Sequence, residues 1–170
     1  KIIPTIIEFV DIAGLVKGAN QGEGLGNKFL SHIRECDAIC QVVRGFKDTN
    51  IISVHNQLNP QNDSDIINLE LILADLSTVN KRLEKVNKEA KSNDKKIIAL
   101  RDLLNKIKQH LEQEQPVREL ILTTEEKIEI KQLNLLTAKP MLYVLNINEG
   151  TLAELTANNV IKLNAKLEIE

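Results

Sequence analysis

Asp11-Ile12-Ala13-Gly14 stands directly after an apolar run at 6–10. A carboxylate at the end of such a run can hold a Mg²⁺ ion through a water. A glycine three residues further on lets its backbone N–H approach a terminal phosphate closely, because no Cβ intervenes. The ordinary alternative is a strand-end turn, where Asp and Gly are common. Asn146-Ile147-Asn148-Glu149 follows a second apolar run, at 141–145. Guanine-specific sites place Asn-Lys-x-Asp in this position. Their carboxylate accepts from guanine N1–H and the 2-amino group, whereas adenine has an acceptor at N1 and no such amino group. Here Glu149 moves the carboxylate, and Ile147 replaces the lysine whose stem lies along the base. The pattern therefore weakens guanine selectivity and accommodates adenine. Asn164-Ala165-Lys166, after a run at 160–163, says little alone and gains meaning from its order in the chain.

Four near-continuous apolar runs, at 6–10, 38–43, 141–145 and 160–163, read as strands of a parallel sheet covered on both faces. Asp11, Arg44, Asn146 and Asn164 follow them in turn, and in open α/β sheets ligands sit beyond the carboxyl ends of the strands. The polar chemistry is thus expected on one rim, with Asp11, Gly14, Asn146 and Glu149 gathered at a common edge. Five of the seven glycines fall within 14–26, and Phe29, Leu30 and Ile33 then repeat at helical spacing.

The middle of the chain has a different period. Leu69, Leu76, Leu83 and Ala90 recur every seven residues, with Ile72, Val79 and Val86 between them. This is the seam of a coiled coil. Ser92-Asn93-Asp94 interrupts it with turn formers, and Ile97, Leu100, Leu104, Ile107 and Leu111 resume it. Two such helices joined by a short turn run antiparallel. The first is expected over about 66–91, Pro116 ends the second arm, and a further helix is expected over 124–136 with Thr124 as its cap. The domain reading is 1–65 and 137–170 for the α/β core and 66–136 for an inserted helical hairpin. Over 81–108 ten Lys/Arg face four Asp/Glu, a net of +6 that leaves −8 for the rest of a chain whose total is −2. Such a run is either a solvated helical surface or an electrostatic footprint for RNA, centred on Lys81, Lys85, Lys88, Lys95 and Lys96.

Taken together these segments resemble one family. Asp11 to Ala19, with Gly22-Glu23-Gly24-Leu25-Gly26-Asn27-Lys28-Phe29-Leu30, is similar to the switch II region of the YchF-type Obg-like ATPases, which are P-loop proteins related to translation factors. Asn68-Leu69-Glu70-Leu71 and Leu73-Ala74-Asp75-Leu76 resemble the start of that family's inserted coiled coil. Leu136-Thr137-Ala138-Lys139-Pro140 and Asn146-x-x-Glu149 resemble its return to the nucleotide domain. The likeness covers nearly all of 1–149. It weakens over 151–170, which looks shortened and carries Asn164 where the family has Ser. The resemblance implies a partial P-loop NTPase (G-domain) core with an inserted antiparallel α-helical coiled-coil hairpin. It implies Asp11 in the Mg²⁺ shell and Gly14 at the γ-phosphate. Asn146, Ile147 and Glu149 would surround the base, with ATP preferred to GTP, and Ala165 and Lys166 would complete the base pocket. Leu15 stands where Ras-like proteins carry the water-orienting glutamine, and leucine has no group to do that. The implied activity is binding and hydrolysis of ATP or GTP with Mg²⁺ in the intact protein, in association with a ribosome or RNA.

No Gly-x-x-x-x-Gly-Lys-[Ser/Thr] occurs in the sequence. That loop supplies the backbone cradle, the phosphate lysine and a Mg²⁺ ligand. The chain opens on Lys1 and reads as a piece of a longer protein, lacking also the family's switch I threonine and C-terminal domain. These residues alone are expected to be inactive. The rival reading is a nucleotide-independent RNA- or protein-binding module built on the basic hairpin. Aromatics at 2% argue against base stacking on single strands. No apolar run approaches membrane-helix length, and a reducing, cytoplasmic setting follows from the cysteine usage. Cys36 and Cys40 read as buried free thiols. His32, His55 and His110 are scattered, and Asp63 and Asp65 read as a polar lead into the first long helix.

Overall fold

In the computed structural model, residues 5–12, 25–47, 58–89 and 94–168 are described. Among them the chain forms α1 (Leu25–Glu35), β1 (Ile39–Arg44), α2 (Pro60–Glu89), α3 (Lys95–Glu112), α4 (Thr124–Ile130), β2 (Met141–Asn146) and β3 (Val160–Leu163). Short 3₁₀ turns lie at Val117–Glu119, Lys131–Leu133 and Leu136–Ala138. The strands form one parallel sheet in the order β1-β2-β3.

The expected strand at 6–10 is not part of that sheet. Residues 5–12 carry no strand, and Ile6, Ile7 and Phe9 are 93, 76 and 82% exposed. An apolar run becomes a strand only when a neighbour completes its ladder, and the described residues bring no strand alongside it. Among the described residues helices cover only one face of the sheet, where both faces were expected to be covered. Val43, Met141, Tyr143 and Leu145 are buried there with Leu30 and Ile33 of α1 and Leu71 and Ala74 of α2. On the opposite face Val42 is 67% and Ile161 50% exposed. Both helices pack on the same side, and no other described helix lies on the opposite one.

α2 starts six residues earlier than its apolar period announces. Asn59 Oδ1 accepts from Asn62 N at 3.0 Å, and Pro60 occupies the first helical position, where its missing N–H is no loss. Asp63 and Asp65 therefore lie within the first turns rather than before them. The helix then serves two surfaces. Leu71 and Ala74 face the sheet, while Ile72, Val79, Leu83 and Val86 pack on Leu104, Ile107 and Leu111 of α3. Leu69, expected on the seam, is 38% exposed because this end of α2 lies over the sheet and not along α3. Arg82 shares a crevice with Leu100, and Ile72 a second one with Pro116, so the two helices run in opposite directions. Asp94 caps α3 by accepting from Lys96 N at 2.8 Å. Ala90, Ser92 and Asn93 lie outside the described residues.

The helix expected over 124–136 is shorter. α4 ends at Ile130, and Asn134 takes a left-handed φ of 46°. Its cap is Thr123, not Thr124. Thr123 Oγ1 accepts from Glu126 N at 3.2 Å, while Glu126 Oε2 accepts from Thr123 N at 2.7 Å. This reciprocal capping box satisfies two helix-end donors. The Thr123 N–H, with Lys106 beside it, holds the Glu126 carboxyl below its ordinary range.

Candidate nucleotide site

The carboxyl ends of the three strands finish level. Arg44 pairs with Asn146, and Asn146 with Leu163. Beyond them Gly45 N donates to Asn146 O at 2.7 Å, and Ile147 N donates to Leu163 O at 2.8 Å. The backbones approach so closely that a Cβ on Gly45 would lie 3.0 Å from Asn146 O. The Asn146 side chain then turns across the rim: its Oδ1 accepts from Ala165 N at 3.2 Å. One carboxamide thus ties the two loops after β2 and β3 together. Asn164 Oδ1 accepts from Lys166 N at 3.2 Å and from Leu167 N at 3.4 Å, which folds that loop into a tight turn. Ile147 is half-buried against the sheet's apolar cluster.

Asn146, Ile147, Ala165 and Lys166 are therefore neighbours at one rim. Glu149 lies on an exposed turn that Thr151 closes, with Asn148 O accepting from Thr151 N at 3.1 Å and Gly150 at φ 74°. Asp11 is exposed, and Ile12 beside it packs on the same cluster as Ile147. Gly14 and Leu15 lie outside the described residues, as do the glycines of that loop before α1. Lys81, Lys85 and Lys88 are exposed on the last turns of α2, and Lys95 and Lys96 on the first turn of α3. Cys36 is half-buried, with Sγ donating to His32 O at 3.4 Å, and Cys40 is exposed on the open sheet face. Both are free, but neither is buried as expected. Among the described residues no group of three metal-ligating side chains occurs, and no helix is long and apolar enough to cross a membrane.

The residue that the sequence undersold is Asp75. It is 0% exposed and joins α2 to the loop that feeds β2. Its Oδ1 accepts from Leu136 N at 2.8 Å, and its Oδ2 accepts from Thr137 N and Thr137 Oγ1, both at 2.7 Å. Thr137 Oγ1 in turn accepts from Val117 N at 3.1 Å. Lys139, in the same loop, donates to Arg34 O at 3.1 Å and to Cys36 O, fastening the end of α1. Arg34 Nη2 donates to Thr78 Oγ1 at 3.3 Å. The elements that carry the rim are thus held from behind by one buried carboxylate and one lysine. The signal was present, since Ile72, Asp75 and Val79 share the inward stripe of α2.

Burial pushes the Asp75 carboxyl up, and the Thr137 and Leu136 donors and the Arg34 charge oppose that shift without cancelling it. Its folded pKa therefore exceeds its unfolded one, and between the two the native state binds more protons. Asp75's contribution is full below the ordinary carboxylate range and declines as pH rises through the elevated value. Urea midpoints of the wild type minus those of Asp75→Asn should accordingly narrow as pH is raised from about 4. A difference that widens over that interval would reverse the sign.

Residues 2–147 match the family model described as 50S ribosome-binding GTPase, and the chain belongs to that family. The sheet and the order of its motifs are those of a P-loop GTPase domain. Within that class the chain is similar to the ribosome-binding ATPase YchF of Bacillus subtilis (strain 168), at 52% identity over 164 residues covering 96% of this chain and 45% of the relative. It is also similar to the ribosome-binding ATPase YchF of Escherichia coli O157:H7, at 50% over 149 residues covering 88% and 41%. The solved Schizosaccharomyces pombe YchF GTPase superposes with a TM-score of 0.67 at 43% identity, over 81% of this chain and 38% of that one. The resemblance to YchF-type ATPases is borne out, and the chain spans less than half the length of these relatives.

Proposed function

We propose that these residues form the base-binding half of an ATP- or GTP-hydrolysing, ribosome-associated P-loop protein. The observation that supports this reading is the hydrogen bond from Ala165 N to Asn146 Oδ1, which ties the loops after β2 and β3 together beyond the strand ends. Ile147 offers an apolar surface to a purine, and Glu149, on the adjoining turn, offers the polar edge. The triphosphate would extend towards Asp11 and Gly14. An exposed carboxylate such as Asp11 fits a Mg²⁺ ion that keeps its waters and takes its other ligands from the nucleotide. Bound there, the ion would neutralise phosphate charge, and Asp11 would hold it through a water. The chain has no Walker A loop, so the phosphate cradle belongs to residues other than these. Residues 66–136 are read as a helical domain inserted into the nucleotide domain of a cytoplasmic protein.

Base preference tests this reading. In a chain extended by the phosphate-loop segment of the B. subtilis relative, Ile147→Lys with Glu149→Asp restores the guanine pattern. The ratio of GTP to ATP affinity should rise by roughly tenfold or more, the scale of one well-placed hydrogen-bond pair. An unchanged ratio would remove residues 147 and 149 from the base pocket.

A second reading, an RNA-binding surface, is favoured by one observation: five exposed lysines cluster where α2 ends and α3 begins. Replacing Lys81, Lys85, Lys88, Lys95 and Lys96 by Gln should cut RNA affinity by roughly 100-fold and flatten the slope of log K against log salt by about 3–4. If affinity and slope survive, these lysines are a solvated surface.

A further inference from the structure

One cation at the rim of the sheet stands without a carboxylate partner. Arg44 is the last residue of β1 and lies in register with Asn146. Side chains alternate along β1: Val43 is 3% exposed, packed with α1 and α2, and Val42 is 67% exposed. Arg44 therefore shares the face of Val42, away from both helices. On β2 Leu145 is 0% exposed, so Asn146 takes that same face. Residues level on adjacent strands are about 4.8 Å apart and point the same way, so the Arg44 side chain starts beside the Asn146 carboxamide. Arg44 is half-buried, and its guanidinium makes no ion pair or hydrogen bond among the described residues.

What flanks this pair decides the chemistry of the ligand. The loops after β2 and β3 are tied by the Ala165 N–H on Asn146 Oδ1, so a base held by them lies over the β2–β3 side of the rim. Among the described residues β3 ends the sheet on that side, and β1 lies on the other side of β2. The charged part of a nucleotide then leaves its base either past the last strand or across the end of β1, where Arg44 stands. A guanidinium presents its donors in a planar fork that matches phosphate oxygens, and it is always charged. A partly desolvated cation with no counter-charge gains most from an anionic ligand. We infer that Arg44 contacts the phosphate chain of a nucleotide whose base sits beyond β2 and β3. This rests on the base-site reading above and adds to it a residue one strand away. One guanidinium does not replace a phosphate loop, so its effect is measured with that loop present.

In the chain extended by the phosphate-loop segment of the B. subtilis relative, Arg44→Gln should weaken ATP and GTP alike, by roughly tenfold or more, the scale of one charge-assisted contact. Their ratio should not change. Arg44→Lys keeps the charge without the fork and should recover part of the loss. The fall in ATP affinity between low and physiological salt should be smaller in Arg44→Gln. Lys47→Gln removes the same charge from an exposed side chain three residues on and should change affinity by less than about twofold. The urea midpoint of the nucleotide-free 170-residue chain should be the same with and without Arg44→Gln. Full ATP affinity in Arg44→Gln, a shifted GTP-to-ATP ratio, no recovery in Arg44→Lys, or an equal loss in Lys47→Gln would overturn the inference. So would a urea midpoint that falls with the affinity, which would make Arg44 a structural part of the rim. An extended protein that takes no nucleotide sinks the base-site reading and this inference together. One that binds ATP and is weakened by Asn146→Ala, yet is indifferent to Arg44→Gln, sinks this inference alone.

Discussion

Asp75→Ala should destabilise the chain by about 3–5 kcal/mol, because it leaves donors stranded in the interior. Leu136 N, Thr137 N and Thr137 Oγ1 all end on this carboxylate, at 2.7–2.8 Å. None has water to turn to, since Leu136 and Thr137 are 0 and 1% exposed. A domain of this size has a total stability of only about 5–15 kcal/mol. The variant should therefore lose a large share of its urea midpoint, and the loop before β2 should exchange its amide protons far faster. Thr137→Val is the milder control. It removes one hydroxyl and keeps both backbone bonds to Asp75, so about 1–2 kcal/mol is expected. Equal midpoints for Asp75→Ala and the wild type would mean that the carboxylate does not hold the loop.

The consequence for function follows from position. The loop held by Asp75 leads directly into β2, whose far end presents Asn146 and Ile147. Lys139, two residues after Thr137, fastens α1, which follows the Asp11–Gly14 segment in the chain. A loosened loop would blur both, so base affinity should fall together with stability.

How much of this was legible in the residues differs by element, for physical reasons. β2 and β3 were readable because near-continuous apolar runs are what a parallel strand requires. The helical pair was readable because an apolar residue recurred at each turn. The run at 6–10 has the same composition as the strands, but strand formation depends on a distant partner that composition does not report. Pro60 and Asn59 mark the start of α2 by cap chemistry, which the apolar period of 69–90 does not extend to. Thr123 and Thr124 are alike in type, and only the reciprocal bond with Glu126 decides between them. Cys40 was expected inside because free thiols usually are; it lies on the sheet face that no described helix covers. Asp75 was passed over because a single carboxylate in a helix is normally solvated, and its partners are some sixty residues away. At the site itself, the Asn146 and Lys166 segments were readable as an ordered pair of motifs. The bridge between Asn146 and Ala165 was not, since it depends on the register of β2 with β3.

These residues lack the phosphate-binding loop, and a large, simple effect on nucleotide affinity is expected from that. Backbone N–H groups and a lysine cradle the β- and γ-phosphates in P-loop proteins. Base contacts alone leave most of the ligand's charge unmatched, so the chain by itself should show no saturable ATP or GTP binding at millimolar concentrations, roughly the weak end of useful affinity. Joined to the phosphate-loop segment of the B. subtilis relative, the same residues should bind with a Kd in the micromolar range, a gain on the order of 100-fold or more. Calorimetric titration of ATP into both proteins, and into the extended protein carrying Asn146→Ala, is therefore the most direct measurement. Binding in the extended protein alone, weakened by the Asn146 substitution, is the expected result. An extended protein that folds but takes no nucleotide, or one that binds equally well without the Asn146 side chain, would contradict the assignment of this rim as a base site.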